Sequence, residues 1–264
     1  DDDFRKFVSY AVDKGSNLYI IQHGGAYGYL KFNSFEKRER NISNFISWNK
    51  NPNNLSATKF FNRRLNNKSK SNKILFFAQN YTFKVNHFSE GPYPPKLHYK
   101  FQLEQSKMIK SIKQKTKYKI FVKTPNFKIK EKNNLLFNKT KKYSTFISSD
   151  KNIDQILKDF KFGVTLDPGT IFFECIALEY PCFLILNKFW EFSSNFKKDL
   201  IKLKNLNIIF DNKDKFLTFI KNIDIKNFWE EIYKKPDFIR FKNKYCYYNK
   251  SKYLNEWKNF LNYN

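Results

Sequence analysis

The segment Val164-Thr165-Leu166-Asp167-Pro168-Gly169-Thr170, continued by Ile171-Phe172-Phe173-Glu174, gathers residues able to hold an anionic ligand. A short apolar run ends near Leu166, Pro168-Gly169 makes a turn, and Thr170 reads as a helix N-cap whose free N–H groups and dipole suit a phosphate. Glu174 follows four residues later, on the side of the helix that carries Thr170. A capping box would place the acid three residues after the cap, where Phe173 stands. Glu174 is therefore left either for a polar partner such as a ribose hydroxyl or for simple helix-terminus electrostatics. A second group is His23-Gly24-Gly25. The chain has 7 glycines, and three of them lie at Gly24, Gly25 and Gly28, which points to a tight turn or a backbone approached closely by a ligand. His23 ends an apolar run, where an imidazole serves equally as a general base or as a structural group. His87 and His98, in a stretch rich in Pro and Tyr, are secondary candidates. Lys123 ends another apolar run on the same edge as Thr170, placed to neutralise a diphosphate or to be one more solvated lysine.

These residues need a scaffold that brings strand ends together. Phe4, Phe7, Val8, Ala11 and Val12 recur at helical spacing and stop at Gly15. The strand Asn17–Gln22 leads into the glycine loop. Residues 49–72 are polar and turn-rich, a linker. Beyond them, strands at Lys73–Ala78, Tyr118–Lys123, Phe162–Leu166, Cys182–Leu186 and Asn207–Phe210 alternate with helices at about 99–115, 149–160 (opened by Ser149-Asp150), 170 onward, 196–203 and 216–223. The stretch between Lys123 and Ser149 reads as irregular and basic. Strands apolar on both faces and alternating with helices predict a doubly wound α/β fold with a parallel sheet covered on both sides. The domains expected are 1–66, part of a preceding Rossmann-like unit with its linker; 67–225, the Rossmann-like ligand domain; and 226–264, C-terminal helices that carry Trp229, Trp257 and Phe260 and pack back on the rest.

Composition narrows the function classes. The chain has 264 residues, with 50 Lys+Arg against 24 Asp+Glu, a net charge of +26. Such a charge points to nucleic acid or an anionic membrane. However, Asn, Lys, Ile and Phe are all abundant while Ala and Gly are scarce, so roughly half the basic excess is ascribed to A- and T-rich codon usage. The lysines are spread through every segment, and no RNP-like, KH or helix-turn-helix pattern is present. A nucleic-acid-binding protein stays open as one alternative, and a non-catalytic remnant at a membrane surface as another. Three cysteines without CxxC spacing suit a reducing compartment, and three scattered histidines do not form a metal motif. No apolar run approaches the ~18 residues of a membrane span. The expected place is the cytoplasm, peripheral to the inner face of the plasma membrane.

The run Ile20-Ile21-Gln22-His23-Gly24-Gly25-Ala26-Tyr27-Gly28, followed by Glu36, Glu39 and Phe45-Ile46-Ser47-Trp48, resembles a hallmark of a family of bacterial surface-carbohydrate transferases with a GT-B-like, two-Rossmann architecture. More distantly, the order of elements is similar to that of teichoic-acid glycerophosphotransferases and capsule-polymer transferases: a His-Gly loop, a strand like Lys73–Ala78, a basic strand end like Val122-Lys123-Thr124-Pro125, and an Asp-x-x-(Ser/Thr)-x-x-x-Glu element like Asp167 to Glu174. Phe228-Trp229-Glu230 and Phe238-Ile239-Arg240-Phe241 also match the first family. The resemblance implies a C-terminal piece of a longer enzyme. It implies a nucleotide-sugar-type donor held by Lys123, Asp167, Gly169, Thr170 and Glu174, with His23, Gly24 and Gly25 at the reacting end. It also implies a cell-surface polymer or lipid-linked acceptor, an anionic membrane surface as a further partner, and no cofactor or obligatory metal. Two departures bear on the donor: Pro168-Gly169 stands where small hydroxyl residues are usual, and Lys123-Thr124-Pro125 replaces Lys-x-His-Pro.

Overall fold

The computed structural model describes residues 2–25, 27–31, 33–49, 55, 71–79, 95–124, 135–147, 153–248 and 251–263. Helix α1 (Asp2–Asp13) stops ahead of Gly15, as its sequence predicts, and leaves Phe4, Phe7 and Tyr10 exposed. Strand β1 (Tyr19–Ile21), helix α2 (Ser34–Ile42) and strand β2 (Asn44–Ile46) form a small β-α-β unit, with β1 and β2 paired in parallel, Ile21 opposite Ile46. The linker expected at 49–72, and with it the boundary at 66/67, falls almost wholly outside the described residues.

The main sheet follows: β3 (Lys73–Phe77), α3 (Pro95–Lys115), β4 (Lys119–Lys123), α4 (Leu135–Thr140), β5 (Thr145–Ile147), α5 (Ile153–Ile156), β6 (Phe162–Thr165), α6 (Thr170–Ala177), β7 (Cys182–Ile185), α7 (Ser194–Asn205), β8 (Ile209–Phe210) and α8 (Lys213–Asn222). All six strands are parallel, in the order β5-β4-β3-β6-β7-β8. The chain thus winds outward from β3 in one direction and from β6 in the other. Right-handed crossovers place the helices of the two halves on opposite faces. The crossover helices show this, α3 meeting α4 while α6 and α7 meet α10 (Pro236–Tyr245); α8, after the last strand, returns to the α3 face. The fold is the expected doubly wound sheet, and its topological switch lies between β3 and β6.

Apolar burial holds the layers. Ile74, Leu75 and Phe76 of β3 are fully shut from water, as continuous apolar strands of a two-sided sheet must be. Phe183 of β7 is wholly buried among the rings of Phe162, Phe216 and Trp229, at centroid separations of 5.4, 5.6 and 5.4 Å. Each such ring contributes ~1.5–3 kcal/mol of burial, plus favourable edge-to-face geometry. Trp229 belongs to α9 (Ile225–Ile232). The last helix, α11 (Tyr253–Tyr263), sets Phe260 edge-on to Tyr19 of β1 at 5.2 Å.

Three elements differ from the sequence reading. The stretch read as irregular holds α4 and β5; β5 is a three-residue edge strand, half-buried and without an apolar run to mark it. The helix expected through Phe160 is α-helical only over Ile153–Ile156 and tightens to a 3₁₀ turn at Leu157–Asp159, while Ser149 and Asp150 lie outside the described residues. Helix α3 begins at Pro95, a turn earlier than expected, because proline suits a first helical turn that has no N–H partner to lose.

Candidate active site

In a doubly wound sheet the crevice for ligands opens beyond the carboxyl ends of the strands at the switch point. Here those ends are Ala78-Gln79 after β3 and Leu166-Asp167 after β6. Asp167 is 5% exposed and accepts a short hydrogen bond from the Gln79 side-chain amide. Gln79 is itself clamped by Gln105 of α3, whose Oε1 accepts from Gln79 N at 2.8 Å and whose Nε2 donates to Gln79 O at 2.9 Å. Burial pushes the Asp167 carboxyl up to about 6, against the opposing hydrogen bonds from Gln79 and the Gly169 N–H. Gly169 lies so close that a Cβ there would stand 2.8 Å from Asp167 Oδ2.

The N-cap of α6 is Gly169, with no side-chain cap, and this corrects the reading of Thr170 as the cap. Thr170 is the first helical residue, and its hydroxyl is used elsewhere: Oγ1 accepts from the backbone N–H of Gly25 at 2.8 Å. The glycine loop therefore sits directly on the first turn of α6. A Cβ on Gly25 would fall 2.6 Å from Thr170 N and 2.7 Å from Gly169 C, both backbone atoms that cannot yield, so only glycine permits the approach. A Cβ on Gly24 would be 4.0 Å from Thr170 Oγ1.

The loop is shaped from behind by its own motif. Gln22 is buried; its Nε2 donates to Gly24 O at 2.8 Å and its Oε1 accepts from Trp48 N at 2.9 Å, while Trp48 Nε1 donates to Gln22 O at 2.8 Å. On the far side Tyr29, 2% exposed, donates from its hydroxyl to Pro168 O at 2.5 Å and packs its ring on Phe173 and Phe196. Backbone bonds from Ser193 N to Tyr29 O and from Lys31 N to Glu191 O continue the seam.

His23 projects from this loop with its side chain 69% exposed. Its Nε2 lies 2.7 Å from the Tyr27 hydroxyl and 3.3 Å from Glu39 Oε1. Burial, then the hydrogen bond and charge of Glu39, raise the Tyr27 phenol well above its ordinary range, so it stays protonated. In the tautomer whose Nε2–H donates toward the Glu39 carboxylate, Nδ1 is the bare nitrogen able to accept a proton. Glu36 shapes the next turn: it accepts from Gly28 N at 2.7 Å and pairs with Arg40 at 2.8 Å.

The structure thus brings Gly24, Gly25, Asp167, Gly169 and Thr170 together, with His23 adjoining Gly24 in the chain and its ring against Tyr27 and Glu39. Glu174 is half-buried one turn into α6. Lys123 ends β4, in register with Phe77 of β3, and so two strands, ~10 Å, from β6. His98 is buried on α3 two turns before Gln105, where burial lowers its pKa; His87 lies outside the described residues. Sequence reasoning missed Tyr27, Gln79 and Gln105 as site residues and gave Glu39 no role of its own. Gln79 and Gln105 carried no signal, whereas Tyr27 and Glu39 were visible only as parts of a motif. Among the described residues no group of three or more His, Cys, Asp or Glu side chains converges, and no helix is long and apolar enough to cross a membrane.

None of the curated proteins matches the chain. The crystal structure of TarM aligns with it at a TM-score of 0.49 and 10% identity, over 98% of this chain and 46% of that one, so the chain spans about half the length of that protein. Residues 1–261 match the model of a family described as LIC12162 family transferase, which accords with the ordered motifs from His23 to Phe241, and the chain belongs to that transferase family.

Proposed function

We propose that this chain carries the donor-binding part of a GT-B-like enzyme. The enzyme moves a sugar or sugar-like unit, phosphoalditols included, from a nucleotide-activated donor to a cell-surface polysaccharide or lipid-linked acceptor. The observation that supports this most is the seating of the His23-Gly24-Gly25 loop on the first turn of α6 at the switch point of the sheet. An exposed imidazole and a helix end suited to phosphate then lie one loop apart. His23 Nδ1 would take the proton of the attacking acceptor hydroxyl as the new bond to the transferred unit forms and the bond to the donor phosphate breaks. The charge left on the departing nucleotide would be met by the N–H groups of α6 and by Lys123, with Glu174 near the ribose, so the reaction needs no bound metal. Cytoplasmic action at the inner face of the plasma membrane suits a basic chain, since acceptor precursors and anionic lipids meet there.

A thermal-shift series with CMP, CDP, UDP and GDP tests the donor site. A nucleotide at 100 times its dissociation constant should stabilise the protein by roughly 2.7 kcal/mol. Thr170→Val, which removes the acceptor for Gly25 N–H and so unseats the glycine loop from α6, should reduce that stabilisation. No response of the wild-type protein to any of the four would overturn the reading.

A further inference from the structure

The small β-α-β unit carries more side-chain chemistry than the support of a loop requires. Three polar groups meet there: His23 after β1, Tyr27 in the glycine loop and Glu39 on α2. His23 Nε2 is 2.7 Å from the Tyr27 hydroxyl and 3.3 Å from Glu39 Oε1, and the Tyr27 phenol is hydrogen-bonded to Glu39. Glu39 Oε2 is buried with no hydrogen-bond partner among the described residues, so the carboxylate depends on what reaches Oε1.

Two hydrogens serve these groups, the phenol hydrogen and the one on the neutral imidazole, and their positions decide what the ring can do. If the phenol donates to Nε2, the imidazole hydrogen lies on Nδ1. The bare Nε2 lone pair then stands 3.3 Å from Glu39 Oε1, and a carboxylate with one oxygen already unpaired receives no donor from either neighbour. If Nε2 carries the hydrogen instead, it donates to the Tyr27 oxygen, and the phenol hydrogen turns to Glu39. Each hydrogen then has an acceptor and Oε1 has a donor. Buried polar groups left unpaired are costly, which favours this second arrangement. It leaves Nδ1 bare, as a general base requires.

Tyr27 is firmly held for such a task. It is 6% exposed, with its ring parallel to Phe45 at 5.5 Å and edge-on to His23 at 5.4 Å. The Arg40 guanidinium lies 4.5 Å from the centre of the Phe45 ring and is pinned by Glu36 at 2.8 Å. The hydroxyl therefore meets Nε2 from a fixed point, whereas the imidazole itself is 69% exposed.

Resting on the reading of His23 as general base, we propose that Tyr27 is a positioning residue: its phenol links His23 Nε2–H to the Glu39 carboxylate and so holds the imidazole in the tautomer whose Nδ1 can accept a proton. Long-range ¹H–¹⁵N correlation spectra test this at about pH 8, where an ordinary imidazole is neutral and its bare and protonated nitrogens give separate signals. In the wild type the His23 hydrogen should reside on Nε2. Tyr27→Phe keeps the stacking on Phe45 and removes the link, and should raise the ratio of the Nδ1–H to the Nε2–H form about tenfold. Glu39→Gln, whose amide can donate to Nε2, should raise it at least as far. A wild-type ring protonated on Nδ1 would overturn the proposal. So would a Tyr27→Phe ratio equal to that of the wild type; a shift confined to Glu39→Gln would then mean that Glu39 acts directly across 3.3 Å and that Tyr27 only packs. Failure of the underlying reading shows elsewhere: full transfer by His23→Ala would take the role of base from His23, and the positioning role from Tyr27 with it, while the wild-type spectra stay as described.

Discussion

Asp167→Asn isolates the electrostatics of the switch point. Folded, the Asp167 carboxyl titrates near pH 6, against 3.8 for an ordinary aspartate. Below about pH 3.8 the group is protonated in both states, and folding is not penalised. Between about 3.8 and 6 the unfolded chain has released its proton while the folded protein still holds it, so stability falls as pH rises, and above about 6 the loss is complete. The gap between the two values corresponds to about 3 kcal/mol. Asparagine has the same shape and no charge, but it offers one acceptor oxygen to the Gln79 amide and the Gly169 N–H, at a cost of about 1 kcal/mol for the weakened bond. Asp167→Asn should therefore be more stable than wild type by about 2 kcal/mol at pH 8 and less stable by about 1 kcal/mol at pH 3.5. Urea denaturation followed by tryptophan fluorescence at several pH values reads this directly, because other titrating groups cancel in the difference. A mutant-minus-wild-type difference that stays flat from pH 3.5 to 8 would refute the assignment of a buried, reluctantly ionised carboxylate.

Gly25→Ala should destabilise by about 1–3 kcal/mol in the same denaturation assay, since the new methyl group meets backbone atoms of Gly169 and Thr170, and it should also abolish any thermal response to nucleotides. Tyr29→Phe keeps the ring contacts with Phe173 and Phe196 but leaves the Pro168 carbonyl without its phenol, and should cost about 1–3 kcal/mol. His23→Ala should lower transfer by about 10²–10⁴-fold while sparing nucleotide binding. Glu39→Gln should shift the His23 imidazole ¹⁵N signals as the tautomer loses its carboxylate partner, and unchanged signals would remove Glu39 from the role of orienting His23.

Much of the main sheet was legible because its strands bury both faces. Ile74-Leu75-Phe76 and Phe183-Leu184-Ile185 are continuous apolar runs that have no other stable use in a chain so rich in Lys and Asn. The edge strand β5 was not legible, since a three-residue strand with one covered side leaves no periodicity to read. The cap of α6 was misplaced by one residue for a related reason. Thr170 has the composition of a cap, but its hydroxyl is claimed by Gly25, which is 145 residues away in sequence, and local propensity carries no information about so distant a partner. Gln79 and Gln105 were hidden in the same way: two ordinary amides gain meaning only when the β3 loop and α3 bring them to Asp167.

The seam from Gly25 to Lys31 has a bearing on how such a sequence can change. Three of its bonds, from Gly25 N, from Ser193 N to Tyr29 O and from Lys31 N to Glu191 O, use main-chain atoms on the glycine-loop side, so the seam fixes the number of residues along it as well as the identities of Gly25, Tyr27 and Tyr29. A single insertion or deletion between Gly25 and Lys31 would put every later partner out of register and carry the imidazole away from α6. Length is a constraint on this stretch in its own right, beyond the few side chains it also has to keep.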